Sequence, residues 1–318
     1  MTAPPELGFE QAARIAGYIL GGQIETGLKK VRGRAKKSVA LVEAMFEIAA
    51  AAAPITGRGV GYKLFARGLI KSMSRNDMQT VYRLLKEERE RGEIPWEWIV
   101  DETRDLERIA TWDDPGGFAE TMINGYRRDN WNQQPHRVEV WSEKGTVRGV
   151  LKLVLDKYAV GFRVMHGFSS ATSVYEVAQT DNDRPLVALY VGDWDPSGLY
   201  MSESDLPDRL RQYGGDHVDL RRIALTGEQA LPLQSFPATD KRKDPRYRWF
   251  TGRYGDQCWE LDAMDPNDLR SCVERHIKGL IEPVDWERCE TVFKQERASI
   301  HHVVKRWKKR LDSRRRVT

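Results

Sequence analysis

Three cysteines (Cys258, Cys272 and Cys289), none in a C-x-x-C pair, are too few for a disulfide framework. Cys258, Cys272 and His276 lack a fourth ligand at zinc spacing, so free thiols in a reducing compartment are expected. The opening, MTAPPELGFEQ, carries no basic-then-apolar leader pattern. The most apolar segment, VALVEAMFEIAAAAAPI, is interrupted by Glu43 and Glu47 and is too short to cross a bilayer. These absences predict a cytoplasmic protein with no membrane partner. A phosphate-binding loop is missing as well. Its nearest match, GGQIETGLKK, places Leu28 after Gly27, where the G-K-[ST] motif needs a lysine.

What is present is charge. Charged residues make up 31% of the 318 and hydrophobic ones 40%, the profile of a soluble globular chain. A net charge of +4 favours a polyanionic partner only weakly. The length suits one large domain or two ordinary ones.

Four segments follow from the patterns. Residues 1–53 read as a helical arm, with Val42, Met45, Phe46 and Ala49 on one face. The basic run Lys29, Lys30, Arg32, Arg34, Lys36 and Lys37 ahead of that face suits either a solvated surface or a phosphate-facing arm. Residues 54–130 begin with a short helix ending near Gly68 and a second starting at Ser74 and Asp77. That second helix is expected to bury Met78, Val81, Tyr82 and Leu85 and to stop at Gly92, with extended EIPWEWIV after it. The pattern fits a winged helix-turn-helix domain. Lys63, Arg67, Arg75, Arg83, Lys86 and Arg89 are its candidate DNA contacts.

Residues 131–284 alternate strand and helix: VEVWS, VRGVLKLVLDKY, FRVMH, SATSVYEVA, the continuous apolar LVALYV, HVDLRRIAL and a last strand in CWELDA. Such alternation predicts an α/β domain with a mostly parallel sheet. Asp265-Pro266 opens a helix, and residues 285–318 form a long helix with a basic tail.

The carboxylates give the second domain its chemistry. In YVGDWDPSG, Asp193 and Asp195 stand two apart where an apolar strand ends, so extended backbone would point them the same way. Glu143, in WSEKG, ends the first strand of the same region. Ligands of open α/β sheets bind outside the carboxyl ends of strands. Three convergent carboxylates repel unless a cation joins them, and magnesium takes such oxygens. The bland alternative for a D-x-D before proline is a helix cap.

These motifs also carry a resemblance. SEKG closing one strand and GDWDPSG closing a later one resemble the TOPRIM domain, in the form found in the A subunit of topoisomerase VI and its meiotic double-strand-break relatives. TGRGVGYKLFARGLI resembles the winged-helix segment of that family, and ELDAMDPNDLR a segment following its metal site. The resemblance runs from about Pro54 to Ile281. It implies Glu143, Asp193 and Asp195 as Mg2+ ligands, Tyr62 as nucleophile with Arg58 beside it, and Lys144 near DNA. It implies a transient tyrosyl link in double-stranded DNA, cut by a homodimer in which the tyrosine of one subunit serves the metal site of the other. ATP-driven strand passage would need a separate ATPase subunit. Gly59 and Gly61 replace larger residues of the family, which predicts a looser backbone around Tyr62. A TOPRIM nuclease that hydrolyses DNA, or a non-catalytic DNA-binding scaffold, fits the same motifs.

Overall fold

Two separate packing patterns organise the computed structural model, which describes residues 36–100, 110–165, 171–180 and 184–315. The run Lys29–Arg34 lies outside them, as do the side chains of Lys36 and Lys37.

The first pattern is helical. Helix α1 (Lys36–Ala52) leads through β1 (Ile55–Thr56) into α2 (Gly57–Ala66), α3 (Arg75–Glu90) and β2 (Ile99–Val100). The Thr56 hydroxyl caps α2 by accepting from the Gly59 N–H, and Ser74 caps α3 by accepting from Asp77. Gly68 and Gly92 take φ of +69° and +75° just past the two helices, a conformation that favours glycine. Met45, Ala49, Leu64, Val81 and Leu84 form one buried core, so α1 belongs with α2 and α3 and residues 53 and 54 mark no break. Only Ile99 and Val100 of EIPWEWIV are strand, because Trp96–Trp98 coil into a 3-10 turn after Pro95. Tyr82, expected in the core, is 44% exposed.

After α4 (Pro115–Gly125) comes the sheet unit: β3 (Arg137–Ser142), α5 (Thr146–Tyr158), β4 (Gly161–Val164), α6 (Ala171–Ala178), β5 (Leu186–Val191), α7 (Pro196–Tyr200), α8 (Leu206–Gln212) and β6 (Val218–Ala224). The four strands pair in parallel in the order β4-β3-β5-β6. The chain is therefore α/β. Alternation in β3 sends Val138 and Val140 to one face, against α5, and Trp141 to the other, against α6 and α8. β5 is central and buried throughout, as its unbroken apolar run requires.

CWELDA adds nothing to this sheet. Its Cys258 pairs in a short antiparallel ribbon, β7 (Phe236–Pro237) with β8 (Gln257–Cys258), separated from the sheet unit's last strand by chain that includes α9 (Tyr247–Tyr254) only after β7. Helix α10 (Pro266–Lys278) then starts at the Asp265 cap and packs on α5. The terminal α11 (Pro283–Arg315) sets Trp286 edge-on to Trp131, ring centroids 5.3 Å apart. No helix among the described residues is long and apolar enough to cross a membrane.

One buried arginine joins the two units. Arg270 of α10 donates to the carbonyls of Ala52, Ala53 and Pro54 and to that of Val150 in α5, at 3.1–3.3 Å. Beside it Val100 packs so closely on α5 that a Cβ on Gly149 would lie 2.6 Å from its Cγ1.

Candidate functional site at the carboxyl edge of the sheet

Ser142 and Val191 are register partners in neighbouring parallel strands, so the residues that follow leave the sheet at one edge. Glu143 follows β3 directly. Asp193 and Asp195 lie beyond the end of β5, past Gly192, so strand alternation does not set their directions. Trp194 instead bridges Trp259, and the two carboxylates take different partners. Asp193 Oδ1 accepts from Lys144 Nζ at 3.0 Å and from the Leu261 N–H at 2.8 Å. Asp195, 3% exposed, caps α7 through the Gly198 N–H at 2.7 Å and faces Lys241 Nζ at 3.2 Å with its other oxygen. The bland alternative, a helix cap, therefore describes one oxygen of Asp195.

The loop is fixed from beneath. Arg222 donates to the carbonyls of Gly192, Asp193, Gly198 and Leu225 at 2.7–3.2 Å. A Cβ on Gly198 would lie 2.4 Å from the Asp193 carbonyl oxygen, so only glycine fits there.

Sequence reasoning assigned no role to Glu260, Asp262 or Lys241. Glu260 grips the Arg58 guanidinium through both carboxylate oxygens. Asp262 accepts from Thr56 Oγ1 at 2.5 Å and from Lys144 Nζ at 3.2 Å. The tripeptide Glu260–Asp262 thus ties α2 to the aspartate loop. Its only signal in the sequence was the carboxylate pair in ELDAMDP, whose partners lie about two hundred residues away.

Negative charge is crowded at this edge. Burial, with the charges of Asp193 and Asp195, pushes Glu143 above the ordinary carboxylate range. Burial works against the Lys144 ammonium, but Asp193, Asp262 and Glu260 outweigh it and hold that pKa above the usual lysine value. Glu143 makes no hydrogen bond or ion pair among the described residues. The donor type fits a hard divalent cation such as magnesium. As the side chains stand, lysines hold both aspartates. No group of three or more His, Cys, Asp or Glu gathered to hold a metal ion is present among the described residues.

Tyr62 and Arg58 sit one turn apart on α2, with the guanidinium carbon 5.9 Å from the ring centroid. Tyr62 is only 5% exposed. Burial and then Glu260 raise its phenol pKa, and Arg58 does not offset them. The neighbouring glycines serve close packing, not looseness. A Cβ on Gly61 would meet Met78 Sδ at 2.5 Å, and one on Gly59 would meet Ile55 at 2.9 Å.

The expected DNA contacts are largely engaged within the chain. Lys63 pairs with Asp265, Arg67 with Glu47, Arg83 with Glu87 and Lys86 with Glu90. Arg75 has no ion pair among the described residues. Between α3 and the sheet edge lies an open cleft of about 490 Å³, with Arg58, Tyr82, Val100, Glu143, Lys144 and Asp262 on its walls.

No family model matches this chain, and no curated protein or solved structure matches it either.

Proposed function

We propose that the chain is a DNA-cleaving protein of winged-helix and TOPRIM type, with Glu143, Asp193 and Asp195 holding magnesium and water as the nucleophile. The observation that carries the reading is the excess of carboxylates at one sheet edge, with the phenol of Tyr62 buried beside it. Magnesium, when bound, supplies positive charge against the phosphate being cut. Lys144 and Lys241 offer ammonium groups at the same edge for phosphate oxygens. Arg222 keeps the aspartate loop from shifting. A water oxygen bonds to phosphorus as the water gives up a proton, the bond to the leaving deoxyribose oxygen breaks, and that oxygen takes up a proton, so the net change is the addition of one water across the bond. Double-stranded DNA is the partner, and two copies of the chain would be needed to cut both strands.

A second reading, transesterification through Tyr62, is favoured by Arg58 over the phenol ring. Burial and the Glu260 charge oppose it, since both keep the phenol protonated.

Supercoiled plasmid, protein and magnesium, quenched with detergent, separate the readings. Nicked or linear DNA with protein-free ends is expected. Protein covalently attached to the ends would establish the second reading, and intact plasmid across a magnesium series would remove both.

A further inference from the structure

We infer that the cleft between α3 and the sheet edge takes a single unstacked nucleotide, with its base lying on Tyr82. The inference rests on the DNA reading above and deepens it, since it makes an unpaired base part of the substrate.

Tyr82 is the starting point. The residue is 44% exposed although it sits on a helix whose neighbours Met78, Val81 and Leu85 are buried. Its hydroxyl makes no hydrogen bond among the described residues. The ring is nevertheless held: its Cδ1–Cε1 edge lies over Gly57, where a Cβ would come within 3.0 Å. An aromatic ring braced along one edge and open to solvent is a stacking platform. Val100, half-buried and already packed on α5, lines the same cleft. An aromatic and an aliphatic wall are what enzymes use to hold a base taken out of its stack.

The size and the charges agree. About 490 Å³ is within the range of small-molecule sites. Arg58 and Lys144 on the walls supply cations for the phosphate attached to that base. Both are paired with carboxylates in the structure, so a phosphate there exchanges one anion for another. Glu143 lines the cleft too, which places the phosphate of a bound nucleotide beside the proposed cutting edge.

The test is a binding cycle in EDTA, where no cutting occurs. The probes are a short duplex with one unpaired thymidine and the same duplex with an abasic residue at that position. The wild-type protein should bind the thymidine probe about tenfold more tightly, the scale of one base stacked on an aromatic side chain. Tyr82→Ala should bind both probes equally, and Tyr82→Phe should keep the preference, because stacking needs the ring and not the hydroxyl. Equal affinity of the wild type for both probes would overturn the inference, as would a Tyr82→Phe variant that behaves like Tyr82→Ala. The wild-type comparison stands even if Tyr82→Ala fails to fold. Plasmid cutting without the base preference would discard the nucleotide cleft and keep the nuclease. The base preference without cutting would do the reverse.

Discussion

In the helical unit, most basic side chains expected to meet DNA already have a carboxylate within the chain: Lys63, Arg67, Arg83 and Lys86 are each paired. At the sheet edge the surplus runs the other way. Among the described residues, Glu143, Asp193, Asp195, Glu260 and Asp262 have between them ion pairs with Arg58, Lys144 and Lys241 alone, with Arg222 beneath the aspartate loop. Charges counted along a helix overstate its attraction for DNA when i,i+4 pairs neutralise them. Charges gathered from distant strands and loops keep their excess.

The largest expected effect tests that excess directly. Asp195→Asn should lower magnesium-dependent cleavage by about 10²–10³-fold, the usual cost of one charge-stabilising group. Asparagine still caps a helix, so the thermal midpoint should hardly move. Unchanged cleavage would take the carboxylate edge out of the chemistry.

Next comes the contact between the two regions. Glu260→Gln removes the charge that holds Arg58, whose own side chain is 37% exposed. After allowing for solvent around Arg58, a loss of about 1 kcal/mol in urea unfolding is expected. No loss would mean that the pair does not brace the units.

A smaller, pH-dependent effect is expected on the outer surface of the sheet unit. Hydrogen bonds from Lys157 and Tyr158 hold the Glu274 carboxyl down at about 2. Its folded pKa lies below the unfolded value, so its stabilisation is present above pH ~5 and is lost as the pH falls toward 2. Solvent limits it to roughly 0.5 kcal/mol. Thermal midpoints of wild type and Glu274→Gln should therefore differ at pH 7 and converge in acid. A constant gap would assign the effect to packing.

The smallest effect sharpens the comparison most. Tyr62→Phe should cut within about twofold of wild type, since the phenol oxygen takes no part when water attacks. Loss of cutting with the fold intact would make Tyr62 the nucleophile.

Periodicity in the sequence located α5 and the buried β5, and parallel alternation brought Glu143 and Asp193 to one edge. The pairing of Arg58 with Glu260 and of Thr56 with Asp262 was not legible, because nothing local links residues two hundred apart. Tyr82 misled for a different reason. It borders the apolar stripe of α3, and only one edge of its ring meets the facing helix, at Gly57. The last strand came out short because Trp259 bridges Trp194 after only two residues of ribbon.

Arg270 has a practical consequence for anyone who would study the helical unit alone. Its hydrogen bonds to the Ala52, Ala53 and Pro54 carbonyls make the apparent boundary at residues 53 and 54 a splinted joint, not a linker. An excised fragment ending before α5 would carry carbonyls stripped of their donor and Val100 stripped of its seat on α5. A deletion of residues 54–104 would likewise take the Pro54 carbonyl from that guanidinium and Val100 from α5. Weak DNA binding by either fragment would report a damaged fold, so function here is to be mapped by point substitution and not by dissection.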